Sequence, residues 1–279
     1  MQIEELMLEV ERRNGSDLHL IAGAPPTVRV DGVLTPLEGP ALDARETEAL
    51  LAPILTPAQR AELEAKRTLG FVHDLSERAR FRVQVYHQSG TVAVSARLLP
   101  SQVPSLEQLS LPEVLKRLTQ APHGLVIVTG PTGCGKSTTM FSLAEHINQN
   151  SNCLLINIGD PPAYLMRPEK AMVCNIAVGT DALSVEDALR SVMLQDPDVI
   201  VVGEVRTLDT IELCLGLAWT GHLVFAPLHA NTAVDAVARL VNFFPQDQRD
   251  PMRRGLADAL VAVIAQRLVR RRAGKGRLA

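Results

Sequence analysis

The stretch that most constrains this chain is GPTGCGKSTT at residues 130–139, which stands between an apolar run and a helical pattern. The apolar run is LVIV at 125–128, and the helical pattern begins with MFSLA at 140–144. A buried strand, a glycine-rich loop and a helix in this order are typical of a phosphate-binding P-loop. Glycines let successive backbone N–H groups face an anion, and the helix adds its N-terminal amides. We expect nucleotide binding through Gly130, Pro131, Thr132, Gly133, Cys134, Gly135, Lys136, Ser137 and Thr138.

Two side chains of this loop predict the ligands. A lysine at the position of Lys136 reaches the β- and γ-phosphates, and a hydroxyl at the position of Ser137 ligates Mg²⁺. The pattern therefore predicts ATP and Mg²⁺. The simpler alternative is a glycine-rich turn that only connects a strand to a helix.

The composition excludes several partners. Of the 279 residues 46% are hydrophobic and 21% are charged, which fits a globular chain of one large or two medium domains. A net charge of −3 and an aromatic content of 3% argue against nucleic-acid binding. The four cysteines form no CxxC pair, so the sequence favours a reducing compartment over a disulfide framework or a zinc site.

The sequence predicts no signal peptide and no membrane span. The chain begins with MQIEE, which lacks a basic and then apolar profile. The apolar runs at 125–128 and 199–202 are too short to cross a bilayer. We expect a cytoplasmic protein that can still work beside a membrane.

The periodicity predicts an α/β protein of two domains. Residues 1–98 combine helices at 3–12, 43–54 and 57–66 with short strands, and residues 99–111 form a proline- and serine-punctuated linker. From residue 112 to 279, strands and helices alternate, which predicts a mainly parallel sheet with helices on both faces. The last predicted element is an apolar helix at 252–269.

A predicted hairpin at 80–86 and 91–98 places arginines on one face. Strand periodicity puts Arg80 and Arg82 opposite Phe81 and Val83, and puts Arg97 on the same non-core face. This face is either solvated and charged to protect a sheet edge, or it contacts an anion.

Glu204 ends a second informative stretch, DVIVVGE at 198–204. An apolar strand that ends in a carboxylate downstream of a P-loop resembles a Walker B strand, whose carboxylate lies near the phosphates. We expect Glu204 to polarise the attacking water or to hold Mg²⁺ through it. The residue before it is Gly203, where related folds often have Asp, so any hold on the metal is less direct.

Two histidines bracket the next apolar strand. His229 follows it and is a candidate sensor of the γ-phosphate, whereas His222 precedes it and is expected to orient a turn. A straight strand would hold them about 23 Å apart, so they cannot ligate one metal ion.

These stretches together resemble the type IV pilus retraction ATPases (PilT-like), within the hexameric secretion ATPase superfamily. The matching segments cover nearly the whole chain in the family's order: SDLHL at 16–20, RFRVQVYHQ at 80–88, GPTGCGKSTT at 130–139, DVIVVGEVR at 198–206 and GHLVFAPLHANTA at 221–233. The resemblance implies an N-terminal PAS-like domain, a RecA-like P-loop ATPase core and a ring of six subunits with nucleotide between them.

The resemblance also implies roles for single residues. Lys136 and Ser137 belong to Walker A, Glu204 to an atypical Walker B, and His222 and His229 to a His box.

The chain matches the family's arginines fully but its Asp box only in part. Arg80, Arg82 and Arg97 match family arginines that approach the phosphates from the N-terminal domain. Asp160 keeps the aspartate of the family's Asp box, but Gly159 replaces the glutamate before it. The loss of that carboxylate predicts slower hydrolysis.

We carry two functional hypotheses forward. The first is an ATP-hydrolysing hexameric motor for type IV pilus retraction, or for a related secretion apparatus, docked on an inner-membrane platform protein at the cytoplasmic face. The second, motivated by Gly159, is a nucleotide-binding subunit that regulates such a motor and barely hydrolyses ATP. A small-molecule kinase would share only the P-loop, because no acceptor site is evident.

Overall fold

The computed structural model of the chain describes residues 2–75, 79–100, 102–270 and 277–279. Its backbone forms two units, Met1–Ser101 and Gln102–Ala279. Within the described residues, no helix combines the length and apolar character that a bilayer crossing requires.

The first unit is built on an antiparallel sheet of six strands in the order β3-β2-β1-β6-β5-β4. The strands are β1 (Gly15–Leu20), β2 (Thr27–Val30), β3 (Val33–Pro36), β4 (Thr68–Asp74), β5 (Arg80–Gln88) and β6 (Thr91–Leu99). The helices are α1 (Ile3–Arg12), α2 (Ala44–Leu51), a 3₁₀ turn at Ala52–Ile54 and α3 (Pro57–Lys66). Helix α3 begins as its sequence predicts, since Thr56 and Gln59 exchange capping hydrogen bonds.

The hairpin of β5 and β6 separates an apolar face from a charged one. Phe81 and Val83 are fully buried in the core of this unit. Arg82 pairs directly with Arg97 across the two strands and both are exposed, as the periodicity predicts. Strand β4, which the periodicity does not predict, pairs with β5 and lacks a clean alternation of buried and exposed residues.

The second unit alternates strands and helices. Its strands are β7 (Gly124–Thr129), β8 (Leu154–Gly159), β9 (Met172–Ala177), β10 (Val199–Val202), β11 (Leu223–Leu228), β12 (Leu260–Ala265), β13 (Val269–Arg270) and β14 (Arg277–Leu278). Its helices are α4 (Val114–Leu118), α5 (Lys136–Asn150), α6 (Val185–Val192), α7 (Leu208–Trp219), α8 (Ala233–Asn242), a 3₁₀ turn at Gln246–Gln248 and α9 (Arg249–Ala259).

Six of these strands form one parallel sheet in the order β12-β7-β11-β10-β8-β9. Alternate residues of β7 point to opposite faces: Leu125 and Ile127 pack in the cluster formed with α6, α7, α8 and α9, whereas Val126 and Val128 pack against α5. The predicted α/β fold, a parallel sheet covered on both faces, is therefore confirmed. All loops after the strands leave the sheet at its carboxyl edge, which is where ligands bind in open α/β folds.

The predicted helix at 252–269 is correct as far as Ala259 and wrong after it. Helix α9 ends at Ala259, and Leu260–Ala265 continues as strand β12 beside β7. The sequence LVAVIA is a short apolar run with three β-branched residues, and periodicity alone does not separate a buried strand from a buried helix in such a run.

Candidate active site

The P-loop lies between β7 and α5 at the carboxyl edge of the sheet. Strand β7 is buried along its whole length, so the chain leaves the core at Thr129 in a defined position. The backbone then turns into α5 through Gly135, whose φ of 88° lies in the left-handed region that favours glycine. Glycine has no side chain to cap the helix, so the first amides of α5 are available to a phosphate.

Lys136 lies inside the loop that it follows. Its Nζ donates hydrogen bonds to the carbonyl oxygens of Gly130 (2.9 Å) and Pro131 (3.1 Å). The residue is only 8% exposed. The ammonium is therefore held among the loop's own carbonyls, at the place where a phosphate chain would bind.

A cavity of about 520 Å³ opens in front of the loop. The predicted site residues that border it are Thr132, Gly133, Gly135, Lys136, Ser137, Thr138, Glu204 and His229. Its volume lies within the range that proteins use for small ligands. The structure thus brings together groups from the ends of three strands, β7, β10 and β11, as the parallel topology predicts.

Glu204 reaches this cavity from the end of β10. Its carboxylate forms an ion pair with Nη2 of Arg206, 2.8 Å away. The residue between Glu204 and the strand is Gly203, where an added Cβ would come within 2.9 Å of the Ile158 carbonyl oxygen. A larger residue such as aspartate has no room there, because the ends of β8 and β10 approach too closely.

His229 reaches the cavity from the end of β11. His229 is exposed, but partial desolvation of its imidazole lowers its pKa below the ordinary value, and the charges of Lys136, Arg239 and Arg206 lower it further. Arg239 also donates to the His229 carbonyl oxygen at 2.8 Å. These cations favour a neutral imidazole, which can donate one hydrogen bond and accept another.

Thr129 ties the base of the P-loop to the His229 turn. Its hydroxyl contacts the carbonyl oxygens of Leu228 and Ala230, each at 3.0 Å, and accepts from the Ala230 amide at 2.9 Å. Thr129 is fully buried, so its hydroxyl is shielded from water, whereas Ala230 at the other end is half-buried.

Some predicted site residues lie elsewhere. Gly130, Pro131 and Cys134 belong to the loop but do not border the cavity, and the Cys134 side chain is buried. His222 lies at the opposite edge of the sheet, where Nδ1 contacts the Leu217 carbonyl oxygen (2.9 Å) and orients the turn before β11.

The Asp box follows β8. Asp160 is exposed and does not border the cavity. Gly159 packs against the backbone of the next segment, since an added Cβ would lie 2.6 Å from Pro162 Cα and 3.1 Å from the Pro161 carbonyl carbon.

The three predicted arginines lie in the first unit. Arg80 Nε donates to Asp74 (2.7 Å), and Arg97 Nε donates to Asp17 (2.7 Å). Burial acts to raise the pKa of Asp17, but hydrogen bonds from Ser16 and Arg97 outweigh it, so the pKa is lowered.

The structure adds cavity residues that the sequence interpretation missed, namely Gly203, Val205, Arg206, Pro227 and Leu268. One signal for Arg206 is its place two residues after the strand-end carboxylate, at the same sheet edge. Leu268 has no such signal, because the apolar pattern around it predicts a helix.

The donor set fits Mg²⁺ only together with a nucleotide. The Ser137 hydroxyl and the Glu204 carboxylate both border the cavity. Across residues 2–75, 79–100, 102–270 and 277–279, no group of three or more His, Cys, Asp or Glu side chains is placed to hold a metal ion. Mg²⁺ characteristically takes one or two protein oxygens together with substrate phosphates, which is the arrangement available here.

Comparison with known proteins gives consistent results. The family model "Type II/IV secretion system protein" matches residues 2–277. The type IV pilus retraction ATPase PilT of Pseudomonas aeruginosa is 39% identical over 279 residues, covering 100% of this chain and 81% of that protein. The type IV pilus ATPase PilU of the same organism is 37% identical over 279 residues and is covered to 73%. A crystal structure of the pilus retraction motor PilT with bound ADP superimposes with a TM-score of 0.95 at 41% identity, over 100% of this chain and 81% of that one.

Proposed function

This chain belongs to the family of type II/IV secretion system proteins, and from this premise we propose that it is an ATP-hydrolysing motor that powers type IV pilus retraction. The observation that carries the proposal is the meeting of Lys136, Glu204 and His229 at one cavity. These side chains come from different strand ends, and each suits a different part of phosphoryl transfer to water.

The roles follow from position. Lys136 and the amides of the loop bind the phosphates, and Ser137 with Glu204 would hold Mg²⁺, which when bound neutralises charge on the β- and γ-phosphates. Glu204 orients and polarises the attacking water. Neutral His229 donates to the γ-phosphate and reports its loss through the Thr129 bridge to the loop.

Arg80, Arg82 and Arg97 are proposed to supply positive charge to the phosphates from the N-terminal domain, in a ring of six subunits. On the same proposal, residues 1–98 are a PAS-like domain, 99–111 a linker and 112–279 the ATPase domain. The ring acts on an inner-membrane platform protein from the cytoplasmic side, and conversion of ATP to ADP changes the angle between the domains. Molecular mass in solution with and without ATP tests the ring.

Steady-state ATPase assays test the central claim. Lys136→Ala should abolish ATP turnover, because the loop loses the positive charge that binds the β- and γ-phosphates. Lys66→Ala is the matched control, since Lys66 is an exposed lysine of α3 whose ion pair with Glu62 contributes little. Equal turnover in the wild type and Lys136→Ala would reject the proposed function.

A further inference from the structure

Gln266 enters the P-loop region from the far end of the chain. Strand β12 runs parallel to β7, and Ala265 pairs with Thr129, the last residue before the loop. The Gln266 amide continues this pairing by donating to the Thr129 carbonyl oxygen at 2.8 Å. Both strands therefore leave the sheet together, and Gln266 follows β12 at the position where the P-loop follows β7.

The side chain of Gln266 joins two parts of the phosphate-binding element. Nε2 donates to the Cys134 carbonyl oxygen at 2.8 Å, and Oε1 accepts from the Thr139 hydroxyl at 2.7 Å. Gln266 is only 7% exposed, and both polar ends of its amide are satisfied. One buried side chain thus holds the end of the loop and the first turn of α5 to β12.

The glycines of the loop leave room for this residue. An added Cβ at Gly135 would lie 2.8 Å from Gln266 Nε2, and one at Gly130 would lie 2.3 Å from the Gln266 carbonyl oxygen. Cys134, which accepts the side-chain hydrogen bond, does not border the cavity. Gln266 does not border the cavity either, so it supports the loop from the side away from the cavity.

We propose that Gln266 is a positioning residue for nucleotide binding, which holds the P-loop in the conformation that receives the phosphates. The inference rests on the proposed function, because it concerns the same site. A loop whose shape is fixed before binding loses less conformational entropy when the ligand arrives. Because Gln266 does not border the cavity, its effect on affinity passes through the loop.

The chemistry requires an amide at this position. The Cys134 carbonyl oxygen is only an acceptor, so it needs the NH₂ group, and the Thr139 hydroxyl is then paired with Oε1. A carboxylate would place an acceptor against that carbonyl and a negative charge behind a loop that binds a polyanion. Gln266→Glu should therefore impair binding more than Gln266→Met, which keeps the length of the side chain and removes only the hydrogen bonds.

The test compares the affinity for Mg-ATP and the kinetic constants of matched variants. Asn148→Leu is the control, since Asn148 is a fully buried side-chain amide of α5 that donates to the Arg167 carbonyl oxygen and accepts from the Glu169 amide, away from the cavity. Gln266→Met should raise Kd and KM for ATP about tenfold, as expected for two lost hydrogen bonds, with a smaller change in kcat. Asn148→Leu should lower the unfolding temperature and leave KM unchanged.

Each outcome decides between the claims. If the wild type binds Mg-ATP and Gln266→Met binds it equally well, the positioning role is wrong and the proposed function stands. If Asn148→Leu raises KM as much as Gln266→Met does, the effect is general destabilisation and the inference is overturned. A wild type without affinity for Mg-ATP overturns both. Should Gln266→Met not fold, Thr139→Val removes one of the two hydrogen bonds, and an unchanged KM in that variant overturns the positioning role.

Discussion

Gly159 offers a sharp test of the packing at the end of β8. Its backbone does not require glycine, because no left-handed φ occurs there, so only space limits substitution. A methyl group at this position would meet Pro162 Cα at 2.6 Å and Pro162 N at 2.7 Å. Both are backbone atoms of a proline, so they cannot rotate away as a flexible side chain would.

We expect Gly159→Ala to destabilise the protein by about 1–3 kcal/mol, the usual cost of overpacking a tight site. For a domain of 150–250 residues, that corresponds to a fall of roughly 2–12 °C in the unfolding temperature. Gly216→Ala is the matched control, because Gly216 lies inside α7 with open space around it. That variant should be about 0.5–1 kcal/mol more stable than the wild type, since alanine suits a helix interior better than glycine.

Differential scanning calorimetry should show an unfolding temperature below that of the wild type for Gly159→Ala and above it for Gly216→Ala. An unfolding temperature of Gly159→Ala at or above that of the wild type would refute it. The prediction also concerns the lost carboxylate of the Asp box. Because even a Cβ displaces Pro162, Gly159→Glu changes the backbone of this segment and does not simply add a carboxylate.

Three further predictions concern the cavity. Thr129→Val should lower the free energy of unfolding by about 1–3 kcal/mol in urea denaturation, because the half-buried Ala230 amide loses its acceptor, and an unchanged midpoint would contradict this. Arg206→Gln should lower ATP turnover about tenfold or more by removing a charged donor at the cavity. Arg190→Gln, which removes exposed ion pairs with Asp187 and Asp209, should leave turnover unchanged, and an equal loss of turnover in both variants would argue against a role for Arg206. Because the pKa of His229 is lowered in the folded state, protonation below pH 6.5 favours the unfolded chain. The free energy of unfolding should therefore fall as the pH drops from about 7.5 to about 5.5, and fall less in His229→Gln; an equal loss in both would refute this.

Local patterns predict most of the fold. The P-loop, Glu204 and His229 each follow an apolar strand, and parallel topology then requires them to meet at one edge. The alternation of β5 and β6 likewise places Arg82 and Arg97 on one face, because side chains along a strand point alternately to its two sides.

The features that the sequence does not predict arise from contacts between residues far apart in the chain. Gln266 contacts Cys134 across 132 positions of the chain, and nothing near Gln266 in the sequence marks it as part of a P-loop. The apolar pattern before it predicts a helix where the structure has a strand. The run LVAVIA is apolar at every position, so it has no periodicity that would separate a buried strand from a buried helix. The one local signal for Arg206, its place two residues after Glu204, does not single it out, since an exposed charge after a strand is common on any surface.

The common direction of the six parallel strands makes the two ends of the second unit chemically unlike. One end gathers the phosphate loop, Glu204 and His229, while the other carries short turns such as the one that His222 closes. A fluorescent label or an affinity handle attached at the His222 end would therefore lie a full strand length from the cavity. A label placed there replaces no residue that borders the cavity.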